Sequence, residues 1–302
     1  MSAPRVIFVG MECPFSRPAL AALLAAGCDL RAIVVPRRPG HASAPGPALP
    51  PGRALPVLTH SGALPLLAQA RQHGVPVLPA GRKWDPHLLT TLAQQQPDLL
   101  CVACYPWLLP PAALALPRWS ALNIHPSLLP AHRGPQPLFW TFHAGLEGAG
   151  VTLHQMDQGA DTGPIVAQTA LPLPDGLTYS QAETRLAQQG ARLLTQAITT
   201  LDHRPPATTP QPAHGASWAP QPTGDDFVVT TAWTARRAYN FIRGVAGWGQ
   251  PISLPLSDGT VLPVGEAIGY NEADEQAEEI THTGHLVRVR CATGTLTLRL
   301  AP

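Results

Sequence analysis

The chain has 302 residues, is 45% hydrophobic and 13% charged, and carries a net charge of +1. A chain of this length can bury one large core or two ordinary ones. The near-neutral balance, in which Lys83 is the only lysine, excludes a global field that would attract nucleic acid. Because no apolar run approaches the roughly 20 residues of a membrane span and the first residues lack a signal-peptide pattern, we expect a cytoplasmic protein without a membrane partner.

The first two thirds of the chain alternate strand and helix patterns. We predict strands at 5–10, 30–36, 75–80, 98–106 and 120–126, and helices at 17–27, 63–74 and 85–96, with a long Pro- and Gly-rich loop at 37–56. Such alternation, continued to about residue 200, indicates a doubly wound α/β domain with a mostly parallel sheet, which we place at 1–203. In this architecture ligands bind beyond the carboxyl ends of the strands.

The last third has a different character. Residues 202–224 contain six prolines and no periodicity, which predicts a linker or surface strap, and we place the linker at 204–224. A helix at 231–244 is followed by short alternating strands between Gly and Asp-Gly turns. The pattern predicts a small β-barrel (OB-like) C-terminal domain at 225–302.

Polar residues cluster where the strand at 120–126 ends. Asn123 and His125 are two residues apart, so an extended chain projects them from the same face. An Asn amide can donate to an oxyanion, and a His can hold or move a proton near neutral pH. Asp161, in the loop "DQGADTG", offers a carboxylate that can orient the imidazole and stabilise its charged form. These three residues are the predicted catalytic trio.

Other candidate residues receive structural interpretations. His132, His143 and His154 lack comparable partners in the sequence and are interpreted as structural or surface residues. Cys101 and Cys104 form a C-x-x-C pattern inside an apolar strand without a second pair, which favours buried thiols over a zinc or redox site. Five scattered cysteines, an odd number, predict free thiols instead of a disulfide framework.

Two segments resemble the signatures of one known family. "NIHPSLLPAHRGPQP" resembles the N-x-H-x-S-L-L-P-x-x-R-G signature of folate-dependent formyltransferases, and "GVTLHQMDQGADTGPIV" is similar to the family's second signature, in the expected order. The similarity extends along essentially the whole chain. It implies a Rossmann-like formyltransferase domain, the co-substrate 10-formyltetrahydrofolate and no metal. It also implies that an amine attacks the formyl carbon while Asn123 and His125 act on the oxyanion and Asp161 fixes the imidazole.

The resemblance further implies a set of folate contacts. The loop after the catalytic strand would line the folate site, and two main-chain segments would meet the pterin. The loop residues are Ser127, Leu128, Leu129 and Pro130, and the pterin-side residues are Tyr105, Trp107, Leu108, Gln158, Gly159 and Ala160.

The acceptor stays open at this point. The two-domain layout is most similar to family members that formylate methionyl-initiator-tRNA, but the loop at 37–56 and the linker lack the lysines expected for phosphate contact. Alternatives are an amino sugar nucleotide or other small amine, and water, which would make the protein a hydrolase of 10-formyltetrahydrofolate. A non-catalytic binding module is disfavoured by the intact trio. We expect a monomer.

Overall fold

A computed structural model describes residues 3–37, 64–201, 204–274 and 279–302. The predicted loop at 37–56 lies, except for Arg37, outside these residues. The described part of the first two hundred residues holds seven strands and six helices in this order: β1 Arg5–Gly10, α1 Ser16–Ala25, β2 Asp29–Pro36, α2 Leu66–Gln72, β3 Val77–Ala80, α3 Pro86–Gln94, β4 Leu99–Ala103, α4 Pro111–Leu114, β5 Ser120–His125, α5 Pro137–His143, β6 Gly150–Gln155, β7 Ile165–Ala170 and α6 Tyr179–Thr199.

The larger sheet has the strand order β3-β2-β1-β4-β5-β6-β7. Strands β1 to β5 pair in parallel, and β6 pairs with β5 in the antiparallel sense. This confirms the predicted doubly wound, mostly parallel sheet. The chain runs outward from β1 to β3 and then returns to place β4 on the other side of β1. The ends of β1 and β4 therefore form the switch point at which such sheets bind ligands.

Local sequence explains where these elements begin and end. The central strands are short runs of apolar residues with full burial, such as β4, because both faces of a parallel sheet are covered. Helix α3 begins where the Asp85 side chain accepts a hydrogen bond from the Leu88 amide, with Pro86 in the first turn. The strand predicted at 98–106 ends earlier, at Ala103, because Cys104 adopts a left-handed φ of 56° that extended pairing cannot accommodate.

The rest of the chain contains helix α7 and a second sheet. Its elements are α7 Ala235–Val245, β8 Ile252–Pro255, β9 Val261–Asn271, β10 Ile280–Thr283, β11 Leu286–Arg290 and β12 Thr295–Leu300. The strands pair antiparallel in the order β10-β11-β12-β9-β8, consistent with the predicted small barrel-like domain. Helix α7 starts later than predicted because the Thr234 side chain caps it. Its apolar face, including Ala238, Phe241 and Ile242, is fully buried.

By their contacts, the described residues group into two compact units. One holds the described parts of Met1–His125, Thr152–Gln168 and Leu186–Gln211, and the other holds those of Pro126–Val151, Thr169–Arg185 and Pro212–Pro302. The predicted domain boundaries at residues 203 and 224 follow chain order and stay a prediction. No helix within the described ranges is long and apolar enough to cross a membrane.

Candidate active site

Strand β5 places Asn123 and His125 at its carboxyl end. It lies between β4 and β6, and in the antiparallel pairing with β6 Asn123 is opposite His154 while His125 is opposite Thr152. The His125 side chain is only 5% exposed, so its ring lies in a desolvated setting where a nearby charge acts strongly. The burial follows from the central position of β5 in the sheet.

The loop between β6 and β7 carries Asp161 in a left-handed conformation with φ of 56°. Asp and Asn tolerate this region better than other non-glycine residues. The loop is closed by its own hydrogen bonds, in which the Gly159 amide and the Thr162 hydroxyl donate to Asp157 Oδ1 at 3.0 and 2.7 Å. At Gly163 a Cβ would lie 1.9 Å from the Gln155 carbonyl oxygen, so only glycine permits this close return of the chain.

The structure brings the predicted trio together at one oxygen atom. Asp161 Oδ1 lies 3.6 Å from His125 Nδ1 and accepts a hydrogen bond of 3.4 Å from Asn123 Nδ2. The carboxylate therefore faces Nδ1 of His125, and Nε2 is the other ring nitrogen. An anionic oxygen beside an imidazole stabilises the imidazolium form, which is the form that can donate to a developing oxyanion.

His154 also belongs to this cluster, so the expectation from the sequence that it lacks comparable partners is wrong. Its Nε2 lies 3.1 Å from Asn123 Nδ2 and 3.5 Å from Asp161 Oδ1, and its side chain is 2% exposed. Its Nδ1 lies 2.9 Å from the Gln155 carbonyl oxygen, which can only accept. Nδ1 of His154 therefore donates to that carbonyl, and Nε2 accepts from Asn123 Nδ2.

A residue of the predicted linker holds the Asp161 loop. The Gln211 side-chain amide donates to the main-chain carbonyls of Asp161 and Gly163 at 2.8 and 2.7 Å. Next to it, Thr209 and Ile165 exchange two main-chain hydrogen bonds of 2.8 Å. This part of the Pro-rich segment therefore acts as a strap on the loop. The sequence does not indicate Gln211, because an aperiodic segment has no pattern that shows which of its side chains contacts a distant loop.

The predicted pterin-side residues after β4 form an aromatic surface. Tyr105 and Trp107 contact edge to face at 5.6 Å between ring centroids, and Trp84 Nε1 donates to the Tyr105 hydroxyl at 3.2 Å. Partial burial raises the pKa of Tyr105, with the Trp84 hydrogen bond opposing it. Leu108 is 60% exposed. The segment offers aromatic and apolar side chains of the kind that line small-molecule sites.

The other predicted folate residues divide into exposed and buried groups. Gln158 and Gly159 are exposed in the Asp161 loop, and Ala160 is half-buried there. Ser127 and Leu129 are buried, and the Ser127 hydroxyl donates to the Ala131 carbonyl at 2.7 Å. Ser127 thus stabilises its own loop, and the roles predicted for Ser127, Leu128, Leu129 and Pro130 toward folate stay predictions.

Residues 3–37, 64–201, 204–274 and 279–302 contain no group of three or more His, Cys, Asp or Glu side chains arranged to hold a metal ion. His143, interpreted from sequence as structural or surface, contacts Phe139, Trp140, Trp233 and Phe241. Burial, aided by the nearby charge of Arg237, lowers its pKa. This environment favours a neutral packing residue.

The sheet order, the site at the end of β5 and the Asp161 loop define a formyltransferase fold. Residues 25–198 match the formyl transferase family, and the chain belongs to that family. A methionyl-tRNA formyltransferase of Gluconobacter oxydans (strain 621H) is 33% identical over 292 residues, which cover 97% of this chain and 90% of the relative. One of Synechococcus sp. (strain JA-3-3Ab) is 35% identical over 240 residues, covering 79% of this chain and 70% of the relative.

Solved structures share the fold at low identity. An N-formyltransferase from Helicobacter canadensis, in complex with folinic acid and dTDP-3-aminofucose, superposes with a TM-score of 0.68 at 13% identity and covers 99% of both chains. The sugar 3N-formyltransferase WlaRD gives a TM-score of 0.65 at 12% identity. This chain is a folate-dependent formyltransferase enzyme by family. At this identity the solved structures show only that the fold is shared.

Proposed function

We propose that this enzyme transfers the formyl group of 10-formyltetrahydrofolate to the amino group of methionyl-initiator-tRNA, without a metal. The observation that carries the transfer chemistry is the meeting of Asn123, His125 and Asp161 at one carboxylate oxygen. The observation that favours the tRNA acceptor is the similarity to relatives named methionyl-tRNA formyltransferase. The alignment with one of them covers 97% of this chain and therefore includes the second sheet.

Each member of the trio has a distinct role in the proposed reaction. The acceptor amine attacks the formyl carbon and the carbonyl oxygen becomes an oxyanion. His125, held by Asp161 at Nδ1, donates from Nε2 to that oxyanion and later supplies the proton that the departing folate nitrogen needs. The proton that the attacking amine loses restores the imidazolium, so the proton count balances. Asp161 does not touch the reacting atoms in this scheme; it keeps the ring oriented and its charged form stable.

Asn123 contributes the second donor. Its Nδ2 carries two hydrogens, one directed at His154 at 3.1 Å and one at Asp161 at 3.4 Å. The hydrogen bond to Asp161 is the longer and weaker of the two. The hydrogen that makes it is therefore the one that a formyl oxygen can share or accept. His154 then fixes the amide plane by occupying the other hydrogen.

One observation favours the second candidate, an amino sugar nucleotide or other small amine. Residues 225–302 contain six arginines and no lysine against nine acidic residues. Ion pairs with Asp or Glu in the described part of this region include those of Arg236, Arg243, Arg288 and Arg299. Cations already paired within the protein release fewer counterions on binding phosphate, so this region gives little non-specific attraction for RNA.

The acceptor is tested by direct competition. Purified enzyme with 10-formyltetrahydrofolate is offered methionyl-initiator-tRNA, a dTDP-linked amino sugar, or water alone, and the formylated product or formate is quantified. Formylated methionyl-tRNA as the main product supports the proposal, and a preference for the sugar, or formate release at the same rate without acceptor, overturns it. The Asn123→Ala variant controls for contaminating activity, because every version of the reaction needs the oxyanion donor.

A further inference from the structure

Two cysteines meet at the switch point of the larger sheet. Cys13 lies between β1 and α1, and Cys104 directly follows β4. Strands β1 and β4 are parallel neighbours whose last paired residues are Gly10 and Ala103. Both thiols therefore lie where the carboxyl ends of the strands diverge, and both are half-buried and so reachable from solvent.

Hydrogen bonds fix the two thiols against each other. The Ser16 hydroxyl donates to the Ala103 carbonyl at 2.6 Å, which ties the start of α1 to the end of β4. Cys13 Sγ lies 3.4 Å from the same hydroxyl, and the Cys13 and Cys104 side chains are hydrogen-bonded to each other. The main chains at the ends of β1 and β4 lie close together, since a Cβ on Gly10 would be 2.9 Å from the Ala103 carbonyl oxygen.

This environment activates one sulfur. The hydrogen bond from Cys104 lowers the pKa of Cys13 to about 6, against the opposing effect of burial and with help from Ser16 and the Phe15 amide. Burial instead raises the pKa of Cys28 and Cys291 to about 11. The lowered pKa favours the thiolate of Cys13, which is the nucleophilic form, whereas the raised pKa values favour the thiol form of Cys28 and Cys291.

We propose that Cys13 and Cys104 form a redox modification site, in which a hydroperoxide converts the two thiols into a reversible disulfide. The Cys13 thiolate attacks one peroxide oxygen, the O–O bond breaks and the other oxygen leaves as water after taking a proton, giving a sulfenic acid. The Cys104 thiol then attacks that sulfur, the S–O bond breaks and a second water leaves. Two thiols and one hydrogen peroxide thus yield one disulfide and two waters.

The position of Cys104 links this step to the active site. Cys104 immediately precedes Tyr105, whose ring contacts Trp107 in the segment expected to meet the pterin. A bond from Cys104 to Cys13 restrains the start of that segment, so we expect the oxidised enzyme to lose formyl transfer. This consequence rests on the proposed function, whereas formation of the disulfide does not.

One experiment measures disulfide formation and the loss of formyl transfer separately. Reduced full-length enzyme is treated with hydrogen peroxide, alkylated, digested without reductant and analysed by mass spectrometry, while formyl transfer is assayed before and after dithiothreitol. We expect a Cys13–Cys104 peptide pair and a loss of activity of at least about tenfold that the dithiol reverses. The Cys28→Ser variant, matched in residue type and partial burial, should behave as the wild type.

The variants make the outcome decisive. Cys104→Ser should leave Cys13 as a sulfenic acid that dimedone traps, and Cys13→Ser should abolish both products. Iodoacetamide labelling of Cys13 should show a midpoint near pH 6 in place of the ordinary value of about 8.5. The proposal is overturned if peroxide oxidises Cys28 before Cys13, or if Cys13 oxidises without linking to Cys104. If the disulfide forms without loss of activity, the redox site is supported and its expected effect on formyl transfer is contradicted.

Discussion

Gln211 donates a hydrogen bond of 2.8 Å to the main-chain carbonyl of Asp161 and joins a proline-rich strap to the loop that carries this aspartate. Gln211→Glu removes both amide donors and sets carboxylate oxygens against two carbonyls. With about 1 kcal/mol for each hydrogen bond, kcat should fall about thirtyfold as the Asp161 carboxylate loses its position. The pH–rate profile should change with it, which a purely structural role would not cause.

A matched control lies on the same Pro-rich segment. Gln221 accepts a hydrogen bond from Gln136 Nε2 through Oε1, an interaction that a glutamate retains. Gln221→Glu should keep wild-type kcat and pH profile. If both variants behave alike, the strap has no specific role in positioning Asp161.

Removal of either oxyanion donor should reduce turnover without loss of folate binding. Asn123→Ala and His125→Ala should each lower kcat at least about a hundredfold, because such donors contribute about 2–4 kcal/mol in the transition state. Folate dissociation constants, measured by fluorescence titration, should change little. Near-normal turnover in either variant would exclude that residue from the mechanism.

Asp161→Asn distinguishes a catalytic carboxylate from a turn residue. Asn fits the left-handed φ of 56° almost as well as Asp, so the loop should keep its shape. Loss of the negative charge 3.6 Å from His125 Nδ1 removes the stabilisation of the imidazolium. The pH–rate limb assigned to His125 should therefore move toward acid as kcat falls. An unmoved limb with ordinary turnover would assign Asp161 to turn chemistry.

His154 should act through Asn123 and not on the substrate directly. His154→Leu introduces an apolar side chain of similar size and removes the acceptor for Asn123 Nδ2. We expect kcat to fall about tenfold. In a double-mutant cycle the same change on the Asn123→Ala background should have almost no further effect. Additive losses would indicate a separate role for His154.

Asp175 should stabilise the unit that contains α7. Its carboxylate accepts hydrogen bonds from Arg236, Asn240 and the Tyr270 hydroxyl. Burial disfavours the charged form, but these donors outweigh it and hold the Asp175 pKa below its ordinary value. Asp175→Asn should lower the free energy of unfolding by about 1–3 kcal/mol near neutral pH, measured by urea denaturation.

The sign of the pH dependence follows from that depressed pKa. The contribution is fully present above the pKa of an unfolded Asp, about 3.9, and is lost as pH falls through the lower folded value. The gap between wild type and Asp175→Asn should therefore close in acid. Glu147→Gln, at an exposed carboxylate of the same unit, should show no comparable gap at any pH. A gap that persists below the folded pKa would contradict the ionic origin.

The sequence alone was enough to predict the fold class and to select Asn123, His125 and Asp161 as candidate catalytic residues. Apolar runs such as β1 and β4 are readable because burial on both faces of a parallel sheet requires uninterrupted hydrophobic residues. Asn123 and His125 were found because they stand at the end of such a run with a spacing that puts them on one face. Short elements such as α4 (Pro111–Leu114) escape this reasoning because four residues show no periodicity.

Only the tertiary structure decided which distant side chains complete the site. His154 faces Asn123 because β6 pairs antiparallel with β5 in one register, and a shift of one residue would have turned it to the opposite face of the sheet. Gln211 reaches Asp161 from fifty positions away, and Cys13 meets Cys104 because β1 and β4 are neighbours across the switch point. Contacts of this kind depend on strand order and register, which the local residue pattern does not encode.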